Sequence, residues 1–288
     1  MPRGHLIALV AFAALANGMF GRLRDALTAE GLASATLSTF GVSAIVWWGL
    51  LKAGMLLASN PDLDTADGRD LSVVGIASLL TLIPIDALSW VALTLLLGFG
   101  VLKPGRRDDS RESGYLIAAA CTFSLFWSPK IFSILSQWIL TFDAVLVGLI
   151  TGTGHAGNTV PLADGSGELW IAPKCSSFAS LSLVPVCWLA MSSGRRVATS
   201  RATSTVILAS AGVVLLNGTR IGLIGLYPER YELIHGEIGS TIAGWLTLII
   251  IAGICYRGVQ LGEAKDPSVR GVSPGHISGF QGDVRVPG

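Results

Sequence analysis

Apolar residues gather into seven stretches separated by short polar segments, at about residues 5–20, 36–58, 72–102, 115–150, 177–191, 203–216 and 239–256. A helix needs roughly 20 apolar residues to cross ~30 Å of hydrocarbon, so the pattern predicts an all-α, polytopic membrane bundle. Two stretches are too long for one straight helix. Pro84 and Asp86 interrupt the third, and Ser128, Pro129 and Lys130 interrupt the fourth; proline removes a backbone donor and bends or breaks a helix. Seven or eight crossings follow, depending on how those breaks resolve. Between residues 151 and 174, short β-prone pieces ending in Leu169-Trp170-Ile171 flank an Asp164-Gly165 turn signal, which predicts a small hairpin on the membrane surface. Residues 1–257 read as a single domain. The tail from 258 to 288, rich in Gly, Pro, Ser and charge, reads as disordered.

Composition agrees with a membrane chain. Of 288 residues, 51% are hydrophobic and only 14% charged, and the mean hydropathy is +0.63, which excludes an ordinary soluble enzyme. Twenty Lys and Arg balance nineteen Asp and Glu, removing the electrostatic reason to expect a nucleic-acid partner.

Charge asymmetry sets an orientation. With one crossing per stretch, thirteen cations, including Arg22, Arg24, Lys103, Arg195, Arg196 and those of the tail, fall on one side, which is therefore cytoplasmic. Arg3, Arg69, Lys174, Arg220 and Arg230 fall on the other. The first stretch also has the outline of a signal peptide, with Arg3 ahead of an apolar run and Ala14-Leu15-Ala16 as a cleavage-like site; an uncleaved anchor fits the charge count better.

Three chemically capable residues share the extracytoplasmic side. Cys175 precedes the fifth stretch, Arg220 follows the sixth, and His235 precedes the seventh. A thiol becomes a nucleophile as its thiolate, which a helix start and a neighbouring cation such as Lys174 favour. His235 can serve as acid and base, and Arg220 can face the oxyanion of a tetrahedral intermediate. Glu229, Glu232 and Glu237 are all near enough in sequence to orient the imidazole. Singly, each residue has a plainer reading: Cys175 as a small apolar filler, Arg220 as an interfacial anchor, His235 as a structural histidine.

At these positions the sequence resembles the exosortase/archaeosortase family of multi-pass membrane cysteine transpeptidases. The carrying motifs are Cys175-Ser176-Ser177, Asn217-Gly218-Thr219-Arg220 and His235-Gly236-Glu237-Ile238-Gly239. They lie in the half of the chain from about 130 to 256. The family usually has glycine where Ser177 stands, a residue free to adopt positive φ. The resemblance implies a thiol protease of the cytoplasmic (inner) membrane that takes exported proteins bearing a C-terminal sorting signal: a short motif such as Pro-Glu-Pro, a transmembrane helix and a basic cluster. It cuts near the motif and transfers the acyl group to an acceptor. It also implies Cys175 as nucleophile, Arg220 as the oxyanion-side cation and His235 as acid/base residue, with membrane lipids as surroundings and no cofactor or metal.

Other signals point elsewhere or nowhere. Residues 152–157 match a dinucleotide fingerprint in letters, yet they follow an apolar span and open no helix. The histidines are too scattered for a zinc site. Asp62, Asp64, Asp67 and Asp70 lack the glutamate and spacing of a calcium loop. If the fifth stretch is one helix, Cys175 and Cys187, twelve residues apart, are about 18 Å apart and cannot pair. Asp86, Asp143, Lys52 and Lys130 lie in apolar runs and support a second class of function, a proton-coupled transporter or a non-catalytic component of polysaccharide export.

Overall fold

The computed structural model describes residues 2–58, 65–103 and 109–263. The fold is helical, with one two-stranded sheet. Its helices are α1 (Arg3–Leu37), α2 (Ala44–Ala58), α3 (Gly68–Leu82), α4 (Asp86–Leu102), α5 (Asp109–Thr122), α6 (Ser128–Thr151), α7 (Phe178–Leu181), α8 (Leu183–Ser192), α9 (Thr199–Leu226), α10 (Tyr231–His235) and α11 (Glu237–Glu263). Four helical runs, Arg3–Leu37, Ser110–Thr151, Thr199–Leu226 and Glu237–Gly262, are long and apolar enough to cross a membrane. Ala44–Ala58, Asp86–Leu102 and Phe178–Ser192 are shorter apolar helices. With α3 these helices cover the seven apolar stretches, the third holding both α3 and α4, and among the described residues four runs have the length to span unaided. α11 continues to Glu263, beyond the expected end of the domain at 257; the rest of the proposed tail lies outside the described residues.

Helix contacts combine small side chains with large ones such as Leu96, Leu97, Ile117 and Trp90, while other large apolar side chains point outward. Ala11, Ala14, Ala53, Ala77 and Ala92 are buried, whereas Phe12, Leu79, Ile134, Trp138 and Trp245 are exposed. That is the arrangement expected where lipid replaces water and close backbone approach drives association. At Gly18 a Cβ would lie 2.9 Å from the Trp90 ring; without it, Trp90 Nε1 donates to the Gly18 carbonyl at 3.1 Å. Asn17 joins the same contact, donating to Thr81 O at 3.0 Å and Ser89 Oγ at 2.8 Å.

Pro84 resolves the third stretch into an antiparallel hairpin. Ile83 is extended (φ −73°, ψ 129°), as the residue before proline must be, so α3 stops at Leu82 and α4 turns back. Asp67 caps α3 in a reciprocal box with Asp70. The hairpin brings its two ends together: Lys103 Nζ reaches Asp67 at 2.9 Å and Asp70 at 2.7 Å, and Arg3 Nε reaches Asp70 at 2.9 Å. The Asp70 backbone N–H, then Lys103, hold the Asp67 carboxyl well below the usual carboxylate range. Arg3 and Lys103 also both lie 5.6 Å from the centre of the Phe99 ring. This cluster corrects the charge tally, which set Arg3 and Arg69 opposite Lys103. Because the third stretch doubles back, all three stand at one end, and Arg22 and Arg24, further along α1, move to the other.

The fourth stretch does not break. Residues Phe123–Trp127 form a π-helical turn immediately before Pro129, and the helix runs on from Ser110 to Thr151. In a regular helix the N–H of residue 129 would bond to the carbonyl of Leu125; proline has none, and Arg22 Nη2 donates to that oxygen at 3.4 Å.

The predicted hairpin is present as β1 (Thr159–Pro161) and β2 (Glu168–Trp170), antiparallel with Val160 opposite Leu169. Gly165, at φ +71°, supplies the left-handed residue of its turn. Val160 and Ile171 are buried with Leu140, Ala144, Val147 and Ile221 in a small core separate from the main one. The hairpin therefore packs on α6 and α9, and the Ala163 N–H donates to the Gly225 carbonyl at 3.0 Å.

Candidate active site

The smaller core supports the three residues singled out in the sequence. α6 and α9 approach closely through glycines on one face of α9: a Cβ at Gly218 would lie 2.5 Å from Leu146, at Gly222 2.7 Å from Ile150, and at Gly225 2.9 Å from Thr151. That approach lets both helices reach the turn between the hairpin and α7.

Cys175 ends a 3₁₀ turn, Pro173–Cys175, and packs on the small core. Its Sγ is 3.5 Å from His235 Nε2. Asn217 Nδ2 donates to the Cys175 carbonyl at 2.7 Å. Ser176 and Ser177 donate to the two oxygens of buried Asp143 at 2.7 and 2.9 Å. His235 ends the short helix α10 and stacks on Tyr231 with ring centres 4.8 Å apart and planes 12° from parallel. Arg220 holds the backbone of this segment, donating from Nε to Ile234 O at 3.2 Å and from Nη2 to His235 O at 3.4 Å. Cys175, Arg220 and His235 are all partly exposed.

Several local expectations change. Cys175 does not open the fifth helix; α7 begins at Phe178, beyond the serines. Arg220 lies within α9, which runs on to Leu226, and its described contacts are to the carbonyls that carry His235. Ser177 is right-handed (φ −67°), so a positive φ is not required there, and its hydroxyl is used. Among the described residues no glutamate bonds the imidazole; an aromatic ring, not a carboxylate, fixes its plane. The glycine-rich loop has positive φ at Gly152, Gly154 and Gly157 and leads into β1 instead of a helix. Among the described residues no group of three or more His, Cys, Asp or Glu could hold a metal ion.

Sequence reasoning missed two contributors. Tyr231 lies one helical turn before His235, the spacing at which side chains meet. Asp143 was visible as a carboxylate in an apolar run, but its partners lie 33 and 34 residues away. Comparison with known protein families, curated proteins and solved structures finds no match.

Proposed function

We propose that this chain is a membrane-embedded cysteine protease and transpeptidase of the exosortase type, acting on C-terminal sorting signals of exported proteins. The observation that supports it is the 3.5 Å approach of the Cys175 thiol to the His235 imidazole, made by side chains 60 residues apart and held from both sides by Asn217 and Arg220. In this reading His235 takes the thiol proton and the Cys175 sulfur attacks the scissile carbonyl. The remaining guanidinium N–H groups of Arg220 stabilise the oxyanion. Collapse expels the amine, protonated by His235, and leaves a thioester. The acceptor, deprotonated by the same imidazole, then attacks the thioester and releases the thiol.

The orientation belongs to the same proposal. α9 places Arg195, Arg196 and Arg201 at its start and Arg220 towards its end, with the thiol. With the α3–α4 hairpin, Arg3 and Arg69 join the end rich in cations and Arg22 and Arg24 leave it, so the total remains thirteen against five. The cation-rich end is then cytoplasmic, the site extracytoplasmic, and, with the third stretch counted as two segments, the chain crosses the cytoplasmic membrane with eight helical segments.

The test is a processing assay. Membranes holding the wild type or Cys175→Ala receive a tagged exported protein ending in a Pro-Glu-Pro motif, a transmembrane helix and a basic cluster, and cleavage is followed by mobility. Cleavage by the wild type alone supports the proposal, whereas equal processing by a Cys175→Ala protein of equal abundance refutes it.

A further inference from the structure

Asp143 is an expensive residue for its position. It lies in the interior of α6, 3% exposed, where a carboxylate is costly unless its oxygens are satisfied. Both are satisfied by hydroxyls, Ser176 on Oδ2 and Ser177 on Oδ1. Among the described residues no cation pairs with it. A buried polar group whose partners are in place rigidifies the segment it joins, so its position in the structure points to a role in orientation.

The orientation it imposes is specific. Ser176 and Ser177 directly follow Cys175, and Ser176 Oγ also accepts from the Phe178 N–H at 3.3 Å, tying the turn to the start of α7. Asn217 holds the Cys175 carbonyl from α9. The turn is thus fixed on one side by α9 and on the other by α6. What remains free at Cys175 is the rotation of its side chain, and the sulfur lies against His235. The geometry points to Asp143 as a positioning residue for the nucleophile: through the two serine hydroxyls it sets the direction of the Cys175 thiol and so its coupling to His235. This rests on the reading of Cys175 and His235 as a working pair, and deepens it. The titratable and charged groups around the turn include His235, Tyr231 and Glu232 from α10, the last with its carboxylate beside Gly236, Arg220 from α9, Asp143 from α6 and Lys174 on the turn itself.

The experiment needs no sorting substrate. The full chain, in membranes, is treated with iodoacetamide from about pH 6 to about pH 9, and alkylation of the Cys175 peptide is timed by mass spectrometry; the thiolate is the reacting form. Cys121, Cys187 and Cys255 are buried and serve as internal references for folding. His235→Ala is expected to slow Cys175 alkylation at pH 7 roughly tenfold and to steepen its rise with pH. Asp143→Ala should reproduce most of that change, and combining the two should slow the reaction no further, as for groups acting through one contact. Asp143→Asn keeps an acceptor for one hydroxyl and a donor for the other, and should stay within about threefold of wild type. Ser176→Ala, which removes one tether and leaves Ser177 in place, should fall between, and gives the reading if Asp143→Ala fails to accumulate. If His235→Ala changes nothing, the thiol–imidazole pair is refuted and this inference with it. A strong His235 effect with wild-type rates in Asp143→Ala or Ser176→Ala overturns the positioning role alone. So does an Asp143→Asn protein as slow as Asp143→Ala.

Discussion

The charged cluster that closes the α3–α4 hairpin allows a quantitative test of the N-terminal half. In Asp70→Ala, the carboxylate that accepts from Arg3 at 2.9 Å and from Lys103 at 2.7 Å disappears. Lys103 keeps Asp67 at 2.9 Å, but Arg3, with a side chain only 10% exposed, keeps only the face of Phe99. Removing one partner of a buried ion pair costs about 3–5 kcal/mol, because the other charge stays buried and unpaired. At roughly 2–4 °C per kcal/mol for a chain approaching this size, the loss corresponds to a fall in apparent melting temperature of roughly 6–20 °C. The assay is thermal unfolding of the purified protein in detergent, followed by helical circular dichroism. Arg24→Ala is the comparison, since its pair with Asp25 is 62% and 70% exposed and such pairs contribute about 0–1 kcal/mol. Replacing Arg3, Asp70 and Lys103 together by Met, Leu and Met should recover most of the loss, as apolar packing substitutes for a buried ionic group. An Asp70→Ala shift no larger than that of Arg24→Ala would refute the argument.

Two further predictions address the topology and the site. Single cysteines at Pro2 and Ser193, in a background lacking the native cysteines, should react with a membrane-impermeant maleimide from the same side, and one at Arg24 from the other; labelling of Pro2 and Arg24 from one side would contradict the hairpin. Gly222→Val should push α6 from α9, because even its Cβ would lie 2.7 Å from Ile150. Overpacking of this kind costs about 1–3 kcal/mol, measurable as a lower melting temperature, and Cys175 alkylation at pH 7 should change with it, since Asp143 and Asn217 meet the turn from these two helices. An unchanged alkylation rate beside a lowered melting temperature would show that the turn does not depend on this contact.

Much of the architecture was legible in one dimension because lipid imposes it there. A stretch that must bury its own backbone polar groups in hydrocarbon becomes helical whatever its neighbours, and the four runs long and apolar enough to cross a membrane are helical. The hairpin was legible for a local reason as well: Asp164-Gly165 provides the turn between β-prone pieces, and Gly165 adopts the left-handed conformation expected of it. Cys175, Arg220 and His235 stood out as candidates because each lies near the end of an apolar stretch on the same side of the bundle.

Only the tertiary structure decided how these parts meet. Pro84 announced a break, but that the chain reversed is seen only where Lys103 meets Asp67 and Asp70, contacts across 36 and 33 residues that no periodicity records. The same holds at the site, where Cys175 meets His235 because Gly218, Gly222 and Gly225 let α6 and α9 close on the intervening turn. Asp143, read from sequence as a residue for transport, became a partner of Ser176 and Ser177. Secondary structure in a membrane follows from the cost of unsatisfied backbone groups, which is local. The assignment of a buried charge to its partner is settled by packing across the whole bundle.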